Sequence, residues 1–154
     1  MSLHGSCVAL DEEGVLILGP SGSGKSDLVL RLLGRGWMLV ADDQVELVAE
    51  GEALRASAPA PLRGMLEIRG LGLMQDLPVA GPVRLRLAVR LLPPDAPLPR
   101  MPEPEWYNAL GRAVPQIALR GQEASAPDKL GFALATACGR ARMAAGALQG
   151  RPPV

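Results

Sequence analysis

The sequence predicts an α/β fold, and three observations carry that prediction. Residues 14–18, Gly-Val-Leu-Ile-Leu, make a short continuous apolar run bounded by glycine, the pattern of a buried strand. Residues 19–26 follow as Gly-Pro-Ser-Gly-Ser-Gly-Lys-Ser. From Lys25 onward Leu28, Val29, Leu32 and Leu33 recur at helical spacing, and Gly34 and Gly36 supply the stop signal. Strand, glycine-rich loop and helix therefore succeed one another without a gap.

The 154 residues suit one compact domain spanning 1–154, and a 48% hydrophobic composition is ample for its core. Sixteen basic residues cancel sixteen acidic ones, so nothing in the charge favours nucleic acid as a partner, and 3% aromatic content leaves little for base stacking. Cys7 and Cys138 stand in no metal-ligand spacing and suit a reducing compartment. No apolar run approaches the roughly 20 residues needed to span a bilayer, and residues 1–11 lack a basic patch followed by a long apolar segment. A cytoplasmic protein without membrane contact is expected.

Around the central unit, residues 4–10 read as a partner strand and 37–41 as a second apolar strand that ends on Asp42 and Asp43. Residues 45–73 suggest short strands separated by turns. From 83 to 91, Val83, Leu85, Leu87, Val89 and Leu91 alternate with Arg84, Arg86 and Arg90, the period of a half-buried strand whose arginine face meets solvent or a partner. Six prolines in residues 93–104 predict an extended loop. The alanine-rich stretch 129–148 reads as a closely packing helix, and Trp37, Trp106, Tyr107 and Phe132 as packing residues.

The loop at 19–26 satisfies the pattern GxxxxGK[ST] of a phosphate-binding P-loop. Gly19, Pro20, Ser21, Gly22, Ser23 and Gly24 would let successive backbone N–H groups face one anion, with the helix dipole behind them. Lys25 would reach the β and γ phosphates of ATP. Ser26 offers its hydroxyl to the Mg²⁺ that bridges them.

Asp42 and Asp43, as neighbours on a strand, would point to opposite faces, so one is expected to face the nucleotide as base or metal contact and the other to support it. A turn-forming acidic pair is the alternative. His4, the sole histidine, carries little weight from sequence physics alone, and Glu67 and Arg69 alternate with Leu66 and Ile68 as ordinary outward strand charges could.

Taken together, Leu3-His4-Gly5, the loop GPSGSGKS, residues 39–43 (Leu-Val-Ala-Asp-Asp) and 66–72 (Leu-Glu-Ile-Arg-Gly-Leu-Gly) resemble the carboxyl-terminal catalytic domain of HPr kinase/phosphorylase. The resemblance covers residues 3 to about 90 and implies a shortened form without the amino-terminal domain of longer members. It implies a P-loop core shared with phosphoenolpyruvate carboxykinase and phosphorylation of a serine on HPr, the phosphocarrier of the sugar phosphotransferase system. ATP and Mg²⁺ serve that chemistry, and the family's reverse reaction is phosphorolysis. It further implies that His4 belongs to the catalytic site, that Lys25 contacts phosphate, that Ser26 and Glu67 hold magnesium, that Asp43 accepts the proton, and that Asp42 and Arg69 support them. A homo-oligomer, a hexamer by resemblance, is expected. Two departures stand out. Ala109 occupies the place of an active-site arginine in the segment 107–111, and residues 118–123 only faintly match the loop associated with dephosphorylation. Arg112 and Arg120 are the cations near enough in sequence to compensate. Alternative readings are a kinase of another protein or small metabolite, and a non-catalytic ATP-sensing module.

Overall fold

The apolar run at 14–18 forms β3 (Glu13–Leu18), and the helical spacing behind it forms α1 (Lys25–Leu33), as predicted. Leu28, Val29 and Leu32 of α1 are fully buried, each stabilising the fold by about 1.5–3 kcal/mol through lost apolar contact with water. The computed structural model describes residues 1–150, so the last four positions of the expected 1–154 domain lie outside the described residues.

The remaining strands are β1 (Ser2–His4), β2 (Ser6–Leu10), β4 (Met38–Ala41), β5 (Gln44–Glu50), β6 (Ala53–Ser57), β7 (Leu66–Ile68), β8 (Gly72–Met74), β9 (Val83–Leu92), β10 (Glu105–Ala109) and β11 (Arg112–Arg120), with a second helix, α2 (Ala126–Ala137). Among the described residues nine strands join in one sheet, in the order β1-β5-β6-β9-β3-β2-β4, with β11 added to β9 and β10 to β11. β7 and β8 pair separately as a small hairpin. Only β3, β9 and β11 run parallel to one another; the other pairings of the sheet strands are antiparallel. One core fills the face covered by α1 and α2, around Val15, Ile17, Leu87, Val89 and Leu134. A second fills the other face, around Leu16, Val45, Leu54 and Leu85. No helix among the described residues is long and apolar enough to cross a membrane.

Several expectations need correction. Residues 4–10 make two strands: the chain breaks at Gly5, whose N–H donates to the Asp43 carbonyl, and β1 goes to β5 while β2 goes to β3 and β4. The strand at 83–91, read from its alternation as half-buried, is an interior member of the sheet. It pairs with β3 along one side and with β6 and then β11 along the other. Gly14 lies opposite Leu85 and Val15 opposite Leu87, which leaves Arg86 as the extra residue of a bulge. Consequently Val83 and Leu85 pack on one face while Leu87, Val89 and Leu91 pack on the other, although the sequence alternates throughout.

The carboxyl-terminal helix begins earlier and ends sooner than 129–148. Pro127 sits in its first turn, where its missing N–H costs nothing, and Gly139 at φ 82° ends it while Arg140 N–H turns back to the Ala135 carbonyl. Leu148 returns to the core without helix. The β10–β11 hairpin was not predicted. Its two-residue turn holds both Leu110 (φ 51°) and Gly111 (φ 74°) in the left-handed region, the geometry that follows the twist of paired strands. Among the aromatics Trp37 is buried and Tyr107 packs partly buried against the second core, whereas Trp106 and Phe132 are exposed. The proline-rich segment 93–104 contains neither helix nor strand, as expected.

Candidate active site

The carboxyl ends of β3 and β4 open onto one cleft of about 660 Å³. The glycine-rich loop forms one wall. Gly22 (φ 80°) and Gly24 (φ 94°) hold left-handed conformations that a side chain would strain, and a Cβ at Gly19 would stand 2.5 Å from Ser23 Oγ and 3.3 Å from Leu91 Cβ. No side chain caps the amino end of α1, and Ser23 Oγ is buried without a hydrogen-bond partner among the described residues. Uncapped helix N–H groups beside the glycine-rich loop are the donor set that suits an anion.

Lys25 is nearly buried, and its ammonium donates to the carbonyls of Gly19 (2.6 Å) and Pro20 (3.1 Å). Burial lowers its pKa from the ordinary lysine value, and the charges of Asp42 and Asp43 only partly oppose that effect. Asp42, just after β4, accepts hydrogen bonds from the Ser6 hydroxyl (2.8 Å) and from the Ser26 hydroxyl (3.1 Å to one carboxylate oxygen and 3.2 Å to the other).

Asp43 stands next in the chain with φ 73°, and its carboxylate lies 3.4 Å from His4 Nδ1 across the β1–β5 junction. Both side chains are exposed. The sequence reading sent Asp42 and Asp43 to opposite faces; both line the cleft instead. Strand alternation stops at Ala41, and the left-handed turn at Asp43, closed by the Gly5 N–H to Asp43 carbonyl bond of 3.1 Å, swings its side chain back.

Glu67 and Arg69, on and after β7, line the same cleft, as do Leu30, Leu62, Met65 and Leu73 on its apolar side. His4, Ser21, Gly22, Gly24, Lys25, Ser26, Asp42, Asp43, Glu67 and Arg69 therefore face one cavity, whereas Gly19, Pro20 and Ser23 of the loop do not line it. Among the described residues no three His, Cys, Asp or Glu side chains converge closely enough to hold a metal by themselves. The oxygen donors available to one are the Ser26–Asp42 pair and Glu67.

Several lining residues were not assigned to the site from sequence, among them the polar residues Ser6, Asp27 and Gln122. Ser6 was detectable as a polar residue opening an apolar strand. Gln122 stood in the segment 118–123, whose faint match to the loop associated with dephosphorylation did not single it out. It is placed by its neighbours: Arg31 of α1 donates to the Gly121 and Glu123 carbonyls, and Arg120 and Lys129 grip the Glu123 carboxylate. Ala109 is buried in the second core and does not line the cleft. Neither cation proposed to compensate for it lines the cleft: Arg112 donates to the Gly51 and Leu110 carbonyls, and Arg120 to the Ala96 carbonyl and Glu123.

Known proteins resemble this chain in sequence and in fold. Residues 1–88 match the model of the HPr Serine kinase C-terminal domain. The chain is 40% identical over 114 residues to the HPr kinase/phosphorylase of Caldanaerobacter subterraneus subsp. tengcongensis, a match covering 72% of this chain and 36% of that protein. It is 36% identical over 128 residues to the protein of the same name from Burkholderia lata, covering 77% of this chain and 40% of the relative. Among solved structures, that of the Hpr(Ser) kinase/phosphatase from Coxiella burnetii superposes with a TM-score of 0.74 at 32% identity, covering 84% of this chain and 91% of that one. The matches thus span 36% and 40% of the length of these two curated relatives. With more than half of its length matched by the family model and the same mixed α/β fold in a solved relative, the chain belongs to the HPr serine kinase C-terminal domain family.

Proposed function

We propose that this chain is an ATP-dependent kinase that transfers the γ-phosphoryl group to a serine hydroxyl of HPr, in the cytoplasm and as a homo-oligomer. The single observation that carries the reading is the convergence of Lys25, Ser26, Asp42, Asp43 and His4 on one cleft, at the carboxyl ends of β3 and β4. The glycine-rich loop and the uncapped end of α1 would bind the phosphates. Lys25 would exchange its bonds to the Gly19 and Pro20 carbonyls for phosphate oxygens. Ser26 and Glu67 would hold Mg²⁺, whose charge offsets that of the phosphates, and Asp42 orients the Ser26 hydroxyl from behind.

Asp43 is the proposed base. Its exposed carboxylate at the mouth of the cleft can accept the proton of an incoming serine hydroxyl, and His4 beside it holds the carboxylate in place. In the reverse direction the same carboxyl would return the proton. Arg69 supports the site from the β7 side. The test is to incubate the protein with ATP, Mg²⁺ and HPr and follow serine phosphorylation by intact mass. The native chain is expected to transfer phosphate, and Asp43→Asn to slow transfer by about 10²–10⁴-fold with ATP binding retained. Unmodified HPr despite measurable ATP binding would overturn HPr as the acceptor.

A further inference from the structure

The carboxyl ends of β3, β9 and β11 share one edge of the sheet, because the three strands are parallel. β2 and then β4 lie on one side of β3, and β9 and then β11 on the other. The acids that follow β4 and the turn that follows β11 therefore flank the glycine-rich loop from opposite sides. Under the kinase reading above, on which the inference rests, the γ-phosphate faces Asp43. A nucleotide so placed runs along the loop, and its nucleoside is carried toward the ends of β9 and β11.

Gln122 stands at that end of the cleft. Its stem lies over the start of α1: a Cβ built on Gly24 would stand 4.0 Å from Gln122 Cγ. Gly121 and Gln122 are the two central residues of a turn closed by the Glu123 N–H, which donates to the Arg120 carbonyl at 3.1 Å. The turn is held from three directions. Arg31 of α1 donates to the Gly121 and Glu123 carbonyls, on either side of Gln122. Arg120 and Lys129 hold the Glu123 carboxylate at 3.1 and 2.7 Å. Gly121 packs so closely on β9 that a Cβ there would stand 3.0 Å from the Leu91 side chain. Within this frame the Gln122 side chain is exposed to the cleft, and its carboxamide makes no hydrogen bond among the described residues. Among the described residues it is the one amide side chain lining the cleft.

We propose that Gln122 reads the nucleobase, and that its carboxamide makes the site selective for adenine. An amide offers a donor and an acceptor side by side. Adenine presents the complementary pair, its amino group beside a ring nitrogen, whereas the corresponding edge of guanine presents two acceptors. A neutral reader suits a neutral base, while the charge of Lys25 serves the phosphates. Because the turn is already fixed by Arg31, Arg120 and Lys129, binding orders little beyond the rotamers of one side chain.

The test is calorimetry of ATP, GTP and inorganic triphosphate binding, each with Mg²⁺. The native chain is expected to prefer ATP over GTP. Gln122→Leu should weaken ATP binding by about 5–150-fold, abolish the preference and leave inorganic triphosphate binding unchanged. Gln122→Glu exchanges the donor for a second acceptor, which suits the ring N–H and amino donors of guanine, so its ATP-to-GTP affinity ratio should fall below that of Gln122→Leu. Equal weakening of ATP and inorganic triphosphate by Gln122→Leu would make Gln122 a phosphate contact and overturn the proposal. A preference for ATP that survives Gln122→Leu would overturn it too, leaving the base to the apolar wall of Leu62, Met65 and Leu73. No phosphoryl transfer enters these readings, so unmodified HPr would count against the acceptor and not against the base contact. A native chain that binds no triphosphate would overturn both.

Discussion

The two ends of β3 handle buried polarity in opposite ways. At the carboxyl end the polar groups answer one another: Ser6 and Ser26 share Asp42, Lys25 is held by two loop carbonyls, and His4 stands against Asp43, with Ser23 as the exception. At the amino end Glu13 accepts from Arg140, while the Nε atoms of Arg84 and Arg86 are buried without a hydrogen-bond partner among the described residues. In the cleft, a phosphate has to displace bonds that Lys25 already makes, so the site is organised in advance and part of the gross binding energy is given back.

The largest expected effect that would sharpen this contrast is at Asp42. Asp42→Asn removes the charge that orients Ser26, and should weaken Mg²⁺-dependent nucleotide binding about 10–100-fold, as read by calorimetry with and without Mg²⁺. Equal loss in both conditions would show that Asp42 supports the loop and not the metal. Smaller is the effect of Ser6→Ala, which deletes one of two hydroxyls on a buried carboxylate and should destabilise the fold by about 1–3 kcal/mol in urea unfolding. A neutral result would mean that the cleft end is less internally satisfied than its hydrogen bonds indicate.

The smallest effect belongs to the arginine end and depends on pH. Burial pushes the Glu13 carboxyl up, but hydrogen bonds from Cys138 and Arg140, with the charges of Arg140 and Arg86, outweigh it and hold the carboxyl below its ordinary value of 4.5. A carboxyl lowered in the folded state contributes stability that is complete above the unfolded value and lost as pH falls through the folded one. Glu13→Gln should therefore lower stability at neutral pH and converge with the native chain below 4.5, by less than about 1 kcal/mol because Arg140 is half exposed. Curves that stay parallel into acid would show that the contact acts through packing alone.

Within the fold, legibility follows how local the cause is. The unit 14–34 was readable because an apolar run, left-handed glycines and helical spacing all act within a few residues. The strand at 83–91 was readable as a strand but not as the interior member it is, since its bulge at Arg86 arises from pairing with β3. The hairpin β10–β11 escaped notice because its strands carry few apolar alternations, and Leu110 enters the left-handed region only when the two strands close on it. The helix expected to 148 stops at Ala137, where Gly139 leaves helical geometry and the remaining chain gains more by folding Leu148 back onto the core.

By itself the amino-acid sequence determined the glycine-rich loop, its lysine and hydroxyl, the acids that follow the second apolar strand, and the family resemblance resting on them. These are matters of residue type and spacing along one segment, and the physics that gives them meaning is short-range. Tertiary structure alone decided that Asp42 and not Asp43 meets Ser26, that His4 reaches Asp43 from a separate strand, that Gln122 joins the cleft, and that the Nε atoms of Arg84 and Arg86 are buried without a hydrogen-bond partner among the described residues. Each of those facts depends on which strands pair and in what register, and on how a turn redirects a side chain, and none of these is set by the neighbours of the residue in sequence.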